Sequence, residues 1–287
     1  LKIEVKELNV QTENGNSIAV SKFFSKSPVK NVIVISSATG VLQKYYSRFA
    51  QFCASKAAVV YTFDYSGIGK SISSTKALKK MEGNLQTWGQ QDQAAIVGFA
   101  KKEHPEAKIT LITHSVGGQI LGFNANYELL DHVVMVASQS GYWKDFKGFN
   151  RLKMWLFWYV LIPLFTPLFG YFPAKKLGLF ENLPKGMVYE WASWGKQKTY
   201  MMHFKNERFL FDRIKLPILS WSFPGDSFAP IETVDWLMKQ YKNAQITRKH
   251  YPKENKKQPG HFGFFKPAFK ELLWEENLNW ILTNNKA

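Results

Sequence analysis

The chain has one cysteine in 287 residues. Cys53 alone can close no internal disulfide and cannot found a cysteine-based metal cluster; such sparing use suits a reducing compartment. It lies in Phe49-Ala-Gln-Phe-Cys-Ala54, on an expected helix face, where packing is its expected role. Acidic residues are scarce too, 22 against 38 lysines and arginines, which leaves a formal net charge of +16. That surplus favours acidic surfaces, whether anionic lipid, nucleic acid or acidic substrates. The basic residues are dispersed, however, with modest clusters at Lys79-Lys80, Lys101-Lys102, Lys175-Lys176 and from Arg248 to Lys257. No zinc finger, RNP-like motif or recognition-helix pattern accompanies them, so nucleic acid is not the expected partner. Internal repeats and low-complexity tracts are lacking. No apolar stretch follows a basic start in Leu1-Lys-Ile-Glu-Val-Lys6, and the expected location is the cytoplasm.

Hydrophobic patterning is abundant. Residues 3–10 alternate apolar and polar, 18–24 read as a second strand, and Glu13-Asn14-Gly15-Asn16 between them supplies the Asn-Gly of a tight hairpin. Short continuous apolar runs follow at 32–35, 59–63, 109–113, 132–136 and 217–221, with a last strand ending near His250. Such runs belong to strands covered on both faces. Helical periodicity occupies 42–55, 86–102, 117–128, 231–241 and 264–283. The alternation predicts an α/β fold: one domain over 1–287, a mostly parallel eight-stranded sheet with an N-terminal antiparallel hairpin, and helices on both faces.

Ile109-Thr-Leu-Ile-Thr-His-Ser115-Val-Gly-Gly-Gln119 runs from a buried strand straight into a helix. A serine on that corner is held in a strained turn with Oγ projecting above the strand end. Gly117 and Gly118 supply the small residues that close strand–helix approach needs, whereas Thr113 stands where G-x-S-x-G has its first glycine. The Val116 N–H and the start of the helix offer oxyanion stabilisation. A second donor is expected from Ser36-Ser-Ala-Thr-Gly-Val41, as the N–H of Ala38 or Thr39.

A base should come from a loop after the last strand. His104 ends a helix, His132 starts a strand, His203 lies in a later insertion and His250 ends a strand. His114 adjoins the serine and is expected to pack or hydrogen-bond. His261, in Gln258-Pro-Gly-His-Phe-Gly263, sits in loop chemistry before the terminal helix. Asp226, in Phe223-Pro-Gly-Asp-Ser-Phe-Ala-Pro230, follows the strand ending near Trp221 and is the expected acid, with Glu232 and Asp235 as fallbacks. The order Ser115, Asp226, His261 suits acyl transfer by a serine nucleophile, a histidine base and an orienting acid. That chemistry calls for no cofactor and no metal.

The chain resembles the α/β-hydrolase superfamily, and more narrowly a branch of bacterial α/β-hydrolases related to the serine aminopeptidase and monoacylglycerol lipase group. The resemblance rests on Ala38-Thr-Gly-Val41, Phe63-Asp-Tyr-Ser-Gly-Ile-Gly-Lys-Ser71, Trp88-Gly-Gln-Gln-Asp92, His114-Ser-Val-Gly-Gly-Gln119, Ser138-Gln-Ser-Gly-Tyr-Trp143, Phe169-Gly-Tyr-Phe-Pro173 and Gly260-His-Phe-Gly-Phe264. It implies the α/β-hydrolase fold, a triad of Ser115, Asp226 and His261, and a structural role for Asp64. The expected activity is esterase- or lipase-like, with amide cleavage on the same triad, or non-catalytic binding of lipid or a partner, as alternatives.

The alternation of elements breaks between 142 and 210, where no strand is expected. Residues 142–172 alone hold 12 aromatics, and 154–172 pass 19 positions without a charge. That length raises the possibility of a membrane span. A single crossing there would part Ser115 from Asp226 and His261, so an inserted, aromatic-rich helical lid is expected instead. Trp143, Trp155 and Trp158 are its candidate substrate contacts, and the substrate is expected to be a small molecule apolar on at least one side. Lys144, Lys147, Arg151, Lys153, Lys175, Lys176 and Lys185 flank the segment, which fits peripheral contact with an anionic membrane surface, the inner one for a cytoplasmic protein.

Overall fold

Asn14-Gly15 turns the chain as its composition requires: Gly15 takes φ +83°, and Thr12 N donates to Asn16 O at 2.9 Å across the turn. Strand β1 (Glu4–Gln11) therefore folds back on β2 (Ser17–Phe24), in register from Gln11 opposite Ser17 to Glu4 opposite Phe24. A computed structural model describes residues 2–284, so Leu1 and residues 285–287 of the expected 1–287 domain lie outside the described residues.

The apolar runs form β3 (Asn31–Ser36), β4 (Ala58–Phe63), β5 (Lys108–His114) and β6 (His132–Val136). Two-residue strands β7 (Tyr171–Phe172) and β8 (Leu183–Pro184) pair with each other, and β9 (Pro217–Ser222) and β10 (Gln245–His250) complete the main sheet. Its eight strands lie in the order β1-β2-β4-β3-β5-β6-β9-β10, with β2 antiparallel to both neighbours and all pairs from β4 to β10 parallel.

Period-two alternation sorts each central strand between two cores. Val32, Val34, Leu111, Val133 and Met135 face one side, packed with Trp88, Ile96 and Val97 from the segment before β5. Ile33, Ile35, Ile112, Val134 and Val136 face the other, against Phe49 and Cys53 of helix α1 (Ser47–Ser55) and Leu273, Trp274 and Leu278 near the C-terminus. Helices α2 (Thr75–Lys80), α3 (Leu85–Thr87) and α4 (Ala94–Glu103) join β4 to β5, and α5 (Val116–Gln119) follows β5. Between β6 and β9 the inserted segment carries α6 (Gly148–Leu156), α7 (Ile162–Phe169) and α8 (Lys185–Lys196). Helices α9 (Ile231–Met238) and α10 (Glu275–Asn284) complete the fold.

Three expectations need correction. The helix expected over 117–128 is α-helical only through Gln119, then breaks into 3₁₀ turns at Leu121–Phe123 and Tyr127–Leu129. Gly122 passes so close to Phe211 that a Cβ there would meet the ring at 2.2 Å, an approach a regular helix bearing side chains could not make. The helix expected over 264–283 becomes 3₁₀ turns and a π turn before α10, because Pro267 interrupts it. The interval 142–210 does contain a strand pair, β7 with β8, too short for periodicity to register.

The parallel strands bring their C-terminal ends to one edge of the sheet. The loops after β3, β5, β6, β9 and β10 gather there, where open α/β sheets place their ligands.

Candidate active site

Strand β5 ends and α5 begins within one residue, and Ser115 takes the turn at φ 52°, ψ −113°. An L-residue adopts such angles at a cost on the order of 1–3 kcal/mol, met by surrounding contacts. Here Ser115 N donates to Val136 O at 3.0 Å and Gly118 N to Ser115 O at 3.1 Å. The two glycines are required by proximity. A Cβ on Gly117 would lie 2.7 Å from Ser36 O, and one on Gly118 would lie 2.4 Å from Ser138 Oγ. Helix α5 is thus wedged between the ends of β3 and β6. Thr113, in place of a third glycine, fits beside Gly118 with its Oγ1 3.4 Å from both Val134 O and Ser138 Oγ.

Asp226 is shaped by its loop. Oδ1 accepts from the N–H groups of Phe228 and Ala229, each at 2.9 Å, which leaves Oδ2 facing His261. His261 Nδ1 donates to Oδ2 at 2.9 Å, and both residues are buried. This bond places the imidazole proton on Nδ1 and leaves Nε2 free to accept one. The fallback acids are engaged elsewhere: Asp235 pairs with Arg248 at 2.7 Å, and Glu232 with Lys147 at 2.7 Å.

His114 ties the His261 loop to the loop after β3. Ala38 N donates to Tyr46 Oη at 2.9 Å, and Tyr46 Oη lies 2.9 Å from His114 Nδ1. His114 Nε2 donates in turn to the carbonyl of His261 at 2.9 Å. Burial, and then the neighbouring His261, push the pKa of His114 well below the usual value, so its ring is neutral and each nitrogen has one fixed role. The Ala38 N–H is thereby committed to Tyr46. Among the described residues the buried Thr39 Oγ1 has no hydrogen-bond partner.

Residues 27–166 match the family described as serine aminopeptidase, S33. A thermostable carboxyl esterase of Bacillus coagulans superposes with a TM-score of 0.70 at 11% identity, covering 97% of this chain and 98% of its own. An esterase of Pyrococcus furiosus gives 0.60 at 17% identity, covering 98% and 91%. One of Exiguobacterium antarcticum gives 0.61 at 13%, covering 96% and 99%. Comparison with curated proteins finds no match.

The chain has the α/β-hydrolase fold.

Within this hydrolase-fold chain, Asp64 has the structural part that the resemblance implied. Its carboxylate accepts from Gln43 N at 2.7 Å and Lys70 N at 3.0 Å, joining the loops after β3 and β4. The candidate tryptophans are placed differently from one another. Trp158 is wholly buried, donates to Gly141 O at 2.9 Å and packs where a Gly195 side chain would stand. Trp155 faces outward, stacked on Tyr159, and Trp143 meets Tyr159 edge-on. The rings beside His261 are Phe228 and Phe262, at 5.3 and 4.9 Å from its ring and both exposed.

Sequence reasoning passed over Gln139. Its amide lies 3.4 Å from Ser115 Oγ through both Oε1 and Nε2, and Nε2 also donates to Phe228 O at 3.1 Å. It thus bridges the serine to the Asp226 loop. Behind it runs a buried polar chain in which Gln119 Nε2 reaches Gln139 at 3.5 Å, Tyr200 Oη donates to Gln119 at 3.0 Å, and Trp191 Nε1 donates to Tyr200 at 2.9 Å. The available signal was Ser138-Gln-Ser-Gly141, a polar loop directly after a buried strand.

Proposed function

We propose that this chain is a serine hydrolase that cleaves carboxylic ester-type bonds, thioesters included, in substrates carrying an apolar acyl or aromatic group. The reading rests above all on the 2.9 Å His261–Asp226 pair, set at the same sheet edge as the strained turn at Ser115. Ser115 Oγ attacks the carbonyl carbon as His261 Nε2 takes its proton, and Asp226 holds the tautomer and offsets the imidazolium charge. The N–H groups of Val116 and Thr39 receive the oxyanion. His261 then protonates the leaving alkoxide, the acyl group stays on Ser115, and water activated by His261 releases the acid.

In the resting geometry Ser115 Oγ is bonded to Gln139, and catalytic hydrogen bonds commonly tighten only around substrate. Ser115 is 6% exposed and His261 8%, and we infer that substrate access involves movement of the surrounding chain. We assign residues 142–210 that part, as a lid held to the loop after β6 by the Trp158–Gly141 bond. The exposed Phe228 and Phe262 beside His261 support an apolar substrate. Cytoplasmic residence belongs to the same proposal, on the lone buried thiol of Cys53.

A peptidase reading is favoured by one observation, the matched aminopeptidase family. Two of the insertion's four acids are already engaged, Glu190 by Gln86 and Glu181 by Lys175, which leaves neither of these two for a peptide amine. Labelling with a fluorophosphonate probe tests the catalytic proposal. The parent should label and Ser115→Ala should not; equal labelling of both would overturn it. Turnover of p-nitrophenyl esters against amino-acyl anilides separates ester from amide cleavage.

A further inference from the structure

The segment Gly148–Phe169 is a continuous 22-residue helical stretch whose most apolar 18-residue window has mean hydropathy 1.5, yet only 17% of that window is buried. A core helix of such composition would be mostly covered. A membrane crossing is excluded by topology, because β6 and β9 on either side of the insertion are hydrogen-bonded neighbours in one sheet. The helix lies on the body of the protein instead, held down by Trp158, Ile162 and Thr166.

Five apolar side chains form one line along its outer face, with the exposed Trp155 and Tyr159 beside them. Phe149, Leu152 and Leu156 are exposed at 68, 48 and 37%, and Leu164 and Leu168 at 51 and 70%. In an unbroken α-helix the last two would stand off the line of the first three. The π turn at Phe157–Leu161 inserts one residue and rotates the remainder of the helix by about 100°, which brings Leu164 and Leu168 back onto that line. The same shift keeps Trp158, Ile162 and Thr166 together on the inner side. Backbone irregularity here serves to make one continuous apolar stripe on the outside.

Cations border the stripe. The ammonium groups of Lys153, Lys176 and Lys196 lie 4.8, 4.7 and 4.9 Å from the ring centres of Phe149, Phe169 and Tyr159. Lys144 stands 5.3 Å from Trp143. From 142 to 210 there are 11 lysines and arginines against four acids. Apolar and aromatic side chains edged by lysine are the composition of a helix lying in a lipid interface.

We propose that this face docks on an anionic lipid bilayer, with the helix in the plane of the headgroups. Charge decides between this occupant and a second copy of the chain. A two-fold contact sets the same patch against itself, so it would bring lysine against lysine. An anionic surface meets every one of them with opposite charge. Docking does not depend on hydrolysis, and Ser115→Ala should bind vesicles as the parent does.

Flotation of the full chain with vesicles of phosphatidylglycerol and phosphatidylcholine in equal parts tests this, beside vesicles of phosphatidylcholine alone. Binding to the anionic vesicles, and much weaker binding to the neutral ones, is expected. The double substitution Leu164→Asp with Leu168→Asp should weaken that binding on the order of a hundredfold, from two lost leucine contacts and two anions set against the surface. Both residues are exposed, so circular dichroism should show an unchanged fold. Lys153→Glu with Lys176→Glu should weaken binding to anionic vesicles alone. No binding by the parent, or equal binding by the leucine double variant, overturns the proposal. So does a concentration-dependent dimer that the leucine substitutions dissolve, which would assign the face to a second copy.

Discussion

Asp226→Asn exchanges one oxygen for an NH₂ group, and the loop around it dictates where that group must go. The N–H groups of Phe228 and Ala229 both point at Oδ1 from 2.9 Å, so the asparagine carbonyl takes that position. The new NH₂ then faces His261 Nδ1, which at present donates to Oδ2 across 2.9 Å. Two donors cannot share that contact. The imidazole must shift its proton to Nε2, the nitrogen that should accept from Ser115, and the base is lost with the geometry intact. Such a tautomer inversion costs about ten-thousandfold in turnover in a Ser-His-Asp site, roughly 5.5 kcal/mol of transition-state stabilisation. Every backbone hydrogen bond to the side chain survives, so stability should change by less than about 1 kcal/mol. Steady-state hydrolysis of a short p-nitrophenyl ester, with thermal unfolding of the same samples, measures both. A loss of less than about tenfold would refute the reasoning. Equal damage from Asp235→Asn would refute it too, since that carboxylate is paired with Arg248.

Packing and burial give two further expected outcomes. Trp158→Ala removes a wholly buried indole and its bond to Gly141 O, and urea unfolding should show a loss of about 3–5 kcal/mol. Asp92, buried beneath Ser66, has its pKa raised to about 7 by burial, against the opposing effect of hydrogen bonds from Ser66 N and Oγ. The folded state therefore keeps a proton that the unfolded chain gives up at lower pH. Its stabilising contribution is complete below the ordinary carboxylate pKa and is lost as pH rises through about 7, with a slope of up to about 1.4 kcal/mol per pH unit. Asp92→Asn cannot titrate, and its urea midpoints should fall less steeply than the parent's over that interval.

The buried chain through Gln139 gives the insertion a polar connection to the serine as well as an apolar one. Trp191 and Tyr200 both belong to the inserted stretch, and Tyr200 is held at φ 46° with its hydroxyl on Gln119. Movement of the insertion would thus be felt at Gln139, which touches both Ser115 and the Asp226 loop. His114 has the corresponding position on the opposite side, between Tyr46 and the His261 carbonyl.

Local physics made much of this protein readable in one dimension. The continuous apolar runs at 32–35 and 132–136 marked strands covered on both faces, because strand side chains change face at every residue and both faces there are apolar. Gly117 and Gly118 after Ser115 marked a strand–helix corner, because only a residue without Cβ passes Ser36 O and Ser138 Oγ at that distance. Contacts between remote segments could not be read that way. The partner of the Ala38 N–H is the Tyr46 hydroxyl, and the neighbour of Ser115 Oγ is an amide from the loop after β6. Both depend on how loops meet at the sheet edge, which pattern does not encode. The outer stripe of the insertion shows the division most plainly. Its apolar composition was evident from the residues, but a regular period puts Leu164 and Leu168 on the wrong side. Only the π turn, a three-dimensional answer to packing Trp158, Ile162 and Thr166 against the body, brings them into line with Phe149.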